Sequence, residues 1–105
     1  MDCFVCKAPG ICVCPQQILS VNTPEISLAL GDVELEARRA MSLWPIMANA
    51  HHGYAVILEE LDELKEHVWT NQNKRDIPAM RKEAVQLAAM CVRFIVDICN
   101  EERGR

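Results

Sequence analysis

At 105 residues, half of them apolar and a quarter charged, the chain has room for one compact domain with a modest core and not for two. A net charge of −4, with Lys and Arg scattered, excludes a general nucleic-acid surface, which needs clustered cations to release counterions from phosphates. No apolar run approaches bilayer-spanning length, and no basic segment leads into an apolar one at the N-terminus, so a soluble, cytoplasmic protein is expected.

Residues 1–22 form an irregular head rich in Cys, Pro and Gly, with no sustained helical or strand period. Cys3 and Cys6 have the spacing of a zinc knuckle, and Cys12 and Cys14 follow with one intervening residue where the common knuckle has two. Four thiolates in that order predict a closed, structural Zn²⁺ site that folds a segment too small to fold alone. Free thiols or a redox pair are the alternatives, the latter weakened because no βαβ pattern accompanies the cysteines. Cys91 and Cys99 fall in a helical pattern, where a thiol is expected to fill core space.

The helical domain is expected over residues 23–105. Thr23-Pro24-Glu25 is a helix start, with a hydroxyl cap, Pro at the first position and an acid in the positive first turn. The first helix should reach Trp44 and stop at Pro45; Gly31-Asp32 leaves open a short helix followed by a second one capped by Asp32. Leu35, Ala40, Met41 and Trp44 are its inward candidates. A second helix is predicted over about His51 to Thr70, and a third from Pro78 to about Asn100 after the polar link Asn71 to Asp76.

On a helical wheel Tyr54, Ile57, Leu58, Leu61, Leu64 and Val68 share one face of the middle helix, opposite Glu59, Glu63 and Glu66. The last helix is apolar over most of its circumference, leaving a narrow polar stripe of Lys82, Gln86, Arg93, Asp97 and Asn100. No strand pattern competes after residue 22. The fold class is therefore all-α, a small bundle of three to four helices, and the surplus apolar surface of the last helix predicts a homodimer or homotetramer.

Glu59-Glu60-Leu61-Asp62-Glu63 carries the chemistry. Residues three and four apart on a helix have Cβ atoms roughly 5–6 Å apart, within chelating reach. Hard carboxylate oxygens suit Mg²⁺ or Mn²⁺, which keep waters and substrate phosphates in their shells. An acidic protein can bind a triphosphate when such a cation screens the charges. The bland reading is a solvated helix back, partly balanced by Lys65. His51 and His52 are read as a polar cap, with phosphate or metal contact as the alternative; Trp44 and Tyr54 are read as core, with base stacking as theirs.

The order Glu59-Glu60, Glu63 and then Glu83 one helix later resembles the MazG-like all-α nucleoside triphosphate pyrophosphohydrolases. The stretches Arg38-Arg39-Ala40, Trp44-Pro45, His51 to Leu58 and Glu83 to Met90 are similar to small phage and bacterial members, so the resemblance covers about two-thirds of the chain. It implies that Glu59, Glu60, Glu63 and Glu83 hold Mg²⁺ or orient what it binds, while water attacks the α-phosphorus to give a nucleoside monophosphate and pyrophosphate. Gln86 stands where the family pattern has an aspartate, and Asp97 lies about 21 Å along the helix from Glu83, too far to replace it. The alternative is a non-catalytic oligomeric helical binding module with a zinc head.

Overall fold

The computed structural model describes residues 24–100, and the cysteine head with Cys3, Cys6, Cys12 and Cys14, its linker and the Thr23 cap lie outside the described residues. Three α-helices follow in order: α1 (Pro24–Leu43), α2 (Ala50–Val68) and α3 (Ile77–Asp97), with a 3₁₀ turn at Gln72–Lys74 between the last two. The described residues contain no strand, so the expected all-α bundle is what forms.

Local chemistry accounts for each helix. α1 opens on Pro24 with Glu25 in its first turn and runs unbroken through Gly31, so the two-helix alternative is set aside. A glycine costs an exposed helix about 1 kcal/mol without forcing a break. The neighbouring turns carry ion pairs of helical spacing, Arg38 with Glu34 at 2.9 Å and Arg39 with Glu36 at 2.6 Å. Asn49 caps α2, its side-chain oxygen accepting from the His52 backbone N–H at 2.9 Å, while His52 Nδ1 accepts from the Ala48 N–H at 2.9 Å. His52 thus takes the capping part expected of it. Asp76 caps α3 by accepting from the Ala79 N–H at 3.1 Å, with Pro78 in the first turn.

α3 is the central element and packs against both α1 and α2. The core is small: Ala37 and Ala40 of α1 meet Ala89 and Met90 of α3, flanked by the half-buried Val33, Val56, Ile57 and Val92. α2 approaches closely at Gly53, where a Cβ would lie 2.6 Å from the Phe94 ring and 3.0 Å from Met47 Sδ. That contact, with the meeting of Glu60 and Glu83, fixes α2 and α3 as antiparallel.

The inward faces differ from the expected ones. Of the α1 candidates only Ala40 is buried; Leu35, Met41 and Trp44 are exposed, and the contact with α3 is made through Ala37 and Ala40. On α2, Ile57, Leu64 and Val68 turn inward as expected, but Tyr54, Leu58 and Leu61 are exposed, and Gly53, Val56 and Glu60 take the contact face instead. Cys91 and Cys99 are exposed rather than core fillers. The polar stripe of α3 is not a solvent stripe, since Arg93 and Asp97 are 4% and 2% exposed.

Arg93 and Asp97 hold the α1–α2 connection. Arg93 Nη2 donates to the Pro45 carbonyl at 2.8 Å, the Met47 N–H donates to Asp97 Oδ2 at 3.1 Å, and the two side chains lie 3.9 Å apart. A connection that turns inward at Met47 needs its backbone polar groups satisfied, and this pair supplies both a donor and an acceptor.

Candidate metal centre

The antiparallel pairing of α2 and α3 brings carboxylates from two helices together. Glu60 and Glu63 of α2 and Glu83 of α3 each offer an oxygen, and the three oxygens lie within 4.8 Å of one another. A small cation with oxygen ligands at about 2.1 Å holds its donors roughly 3–4 Å apart, so modest side-chain rotation closes the trio around one ion. Glu60 projects from the contact face of α2, and Glu63, one turn on, lies at its edge; the helical repeat and not a loop sets their separation.

The electrostatics of the trio are unfavourable as they stand. Burial, then the charges of Glu63, Glu83 and Glu59, push the Glu60 carboxyl up to about 7. The Glu83 carboxyl is also raised, by burial and by Glu63, with His67 and Lys82 opposing. Glu60 Oε2 and Glu83 Oε2 are buried and have no hydrogen-bond partner. Buried carboxylate oxygens left unpaired cost free energy, whereas a hard cation between them would satisfy both. The donor set therefore fits Mg²⁺ or Mn²⁺.

Glu59 does not join the trio. It is exposed and lines a cleft of about 430 Å³ between α1, α2 and α3, together with Glu60, Trp44, Arg39, His52 and Gln86. Glu60 thus belongs both to the trio and to the cleft wall. A shallower groove beside it is lined by Arg39, Arg81, Lys82 and Gln86, so cations stand next to the acids. Arg39 is engaged by Glu36, whose carboxyl it holds below its usual range, and Arg81 pairs with Asp32 at 2.7 Å. Trp44, expected in the core, is exposed and lines the cleft, while His51 and Tyr54 do not line it.

Sequence reasoning gave no site role to Arg93 and Met47, both buried and both lining the cleft. The available signal was the charged pair Arg93 and Asp97, one helical turn apart within an otherwise apolar segment. Such a pair is costly to bury and is retained where it does a specific job.

Fold and site together define, among the described residues, an all-α three-helix unit with an acidic centre between two antiparallel helices and a cleft of about 430 Å³ beside it. Among known proteins, no family profile, curated sequence or solved structure matches this chain. No helix among the described residues is long and apolar enough to cross a membrane.

Proposed function

We propose that this chain is a metal-dependent nucleoside triphosphate pyrophosphohydrolase of the MazG-like type, a cytoplasmic homo-oligomer that cleaves NTP or dNTP to the monophosphate and pyrophosphate. The observation that carries it is the convergence of Glu60, Glu63 and Glu83 oxygens within 4.8 Å, with Glu60 and Glu83 each holding a buried oxygen that has no hydrogen-bond partner and Glu60 also lining a cleft of about 430 Å³. Ligand pockets of small molecules fall in this size range.

Glu60, Glu63 and Glu83 would hold Mg²⁺ or Mn²⁺. The bound ion supplies charge screening between acids and phosphates and Lewis-acid polarisation of the phosphoryl oxygens. Glu59, facing the cleft, orients the attacking water and takes its proton as the new P–O bond forms and the bond to the pyrophosphate oxygen breaks. The adjoining groove, lined by Arg39, Arg81 and Lys82, would supply positive charge to the leaving pyrophosphate. Trp44 offers an exposed ring on which a base can stack.

Gln86 supports a second reading. A neutral amide in the cleft can coordinate or hydrogen-bond but adds no charge to hold a hard cation, which suits a nucleotide-binding module that does not cleave. In either reading a structural Zn²⁺ on Cys3, Cys6, Cys12 and Cys14 folds the head, and metal analysis of the purified protein should return one zinc per chain.

The deciding experiment is pyrophosphate release from a panel of ribo- and deoxynucleoside triphosphates with Mg²⁺ or Mn²⁺. Wild-type protein should release pyrophosphate, and Glu60→Gln should lower kcat/KM by about 100-fold or more, the scale expected when a metal site loses a carboxylate. No release from the folded wild type, with release gained by Gln86→Asp, would establish the binding module instead.

A further inference from the structure

The cleft of about 430 Å³ has two chemically different ends, and each helix runs from one towards the other. Glu36 of α1 precedes Trp44 by eight residues, Glu59 and Glu60 of α2 follow His52 by seven and eight, and Gln86 of α3 precedes Arg93 by seven. Those separations are two helical turns, about 10–12 Å. Position 53 lies beside 94 and position 60 beside 83, and the Pro45 carbonyl is bonded to Arg93. Trp44, His52 and Arg93 therefore share one end, and Glu36, Glu59, Glu60 and Gln86 the other. Every carboxylate that lines the cleft stands at the second end.

The first end is furnished with donors. His52 Nδ1 accepts from the Ala48 N–H at 2.9 Å, and a ring nitrogen that accepts carries no proton. The imidazole is therefore neutral with its one proton on Nε2; the other tautomer would set two donors face to face and release the chain at Ala48. Among the described residues the Nε2–H has no acceptor. Arg93 stands at the same end with its side chain 5% exposed, and its Nε–H also lacks an acceptor. Asn49, Arg93 and Asp97 fix this end by hydrogen bonds to His52, Pro45 and Met47, so its donors are held in place before anything binds.

We propose that this end reads the nucleobase, and that His52 selects a base whose exocyclic group is a carbonyl over one that carries an amino group there, uracil over cytosine or hypoxanthine over adenine. A phosphate chain held through a cation at the acidic end leaves the base two turns away, beside Trp44. There a carbonyl oxygen accepts from His52 Nε2–H, whereas an amino group meets it donor to donor. The ring cannot adapt by moving its proton, because the Ala48 N–H occupies Nδ1. Discrimination then comes from the fixed donor that the wrong base leaves unpaired. The inference rests on the nucleotide reading of the cleft and is the same whether or not the nucleotide is cleaved.

Calorimetric titration of the full-length protein with α,β-imido nucleoside triphosphates, which resist cleavage at the α-phosphorus, tests it without requiring turnover. Uridine is compared with cytidine and inosine with adenosine, in Mg²⁺ at about pH 8. Within the tighter-binding pair the carbonyl member should bind about 10-fold or more tightly, the scale of one unpaired donor. His52→Asn keeps an amide oxygen for the Ala48 N–H but has nothing at Nε2, so it should fold and bring the two affinities within about 3-fold. In the long-range ¹H–¹⁵N spectrum of the wild type, His52 should be the Nε2–H tautomer, and its resonance should move when the carbonyl nucleotide is added; this measurement decides should the variant not fold. Equal affinities within both pairs, tighter binding of the amino members, a preference unchanged in folded His52→Asn, an Nδ1–H tautomer or an unmoved resonance overturns the inference and leaves the nucleotide reading standing. Binding of none of the four analogues overturns both.

Discussion

Glu60 sits on the contact face of α2, where a carboxylate is least welcome, and its surroundings show the cost. The charges of Glu59 and Glu63 act on it from its own helix and that of Glu83 from α3, while Lys82 offsets part of the rise at Glu83. Its native carboxyl titrates at about 7, well above the ordinary 4.5, so between those values the folded chain holds a proton that the unfolded chain has released. Stability of the metal-free protein from this group is therefore present below about pH 4.5 and is lost as pH rises towards about 7. A bound cation reverses the sign, because it needs the ionised form. In EDTA, raising the pH from 5.5 to 8 should lower the Tm of the wild type by about 3–6 °C more than that of Glu60→Gln, the shift that roughly 1 kcal/mol gives in a domain this size. Mg²⁺ should raise the wild-type Tm at pH 8 and have little effect at pH 5.5. Equal pH slopes for the two proteins in EDTA would show that Glu60 is not strained.

At the scale of elements, the helices were legible because their punctuation is chemical. Pro24, Pro45, Asn71 to Asp76 and Pro78 bracket them, and the observed bounds fall within three residues of the expected ones. The inward faces were less legible. α2 carries two apolar rows, and a wheel ranks rows by hydropathy, whereas packing selected the row containing Gly53 because only there can the backbones approach. Helical spacing paired Glu60 with Glu63, and only the family resemblance added Glu83; their separation from Glu59 depends on which row turns inward. The glycines give a direct test. Gly53→Ala drives a methyl to 2.6 Å from the Phe94 ring and should cost about 1–3 kcal/mol in urea denaturation. Gly31→Ala meets nothing within 4 Å in the middle of α1 and should gain about 0.5–1 kcal/mol. Equal effects at the two positions would mean that α2 and α3 do not pack through Gly53.

For the molecule as a whole, the asymmetry of its packing decides where it opens. α3 touches both other helices, and its middle carries Ala89, Met90 and Arg93, among the most buried residues described. α1 is held from Asp32 onward, by the Asp32–Arg81 pair, Ala37 and Ala40, while residues 24–31 bury nothing. Ile26, Leu28 and Leu30 of this segment are exposed in the fold although apolar. Local opening needs only the free energy of the contacts it breaks, so the start of α1 should open without disturbing the rest. Native-state hydrogen exchange should therefore rank the amides of residues 28–32 as the least protected helical ones and those of 86–94 as the most, with opening free energies differing by about 2 kcal/mol or more. The acid trio lies on α2 and α3, so this opening leaves it intact. Uniform protection along α1 would show instead that its exposed leucines are covered in solution.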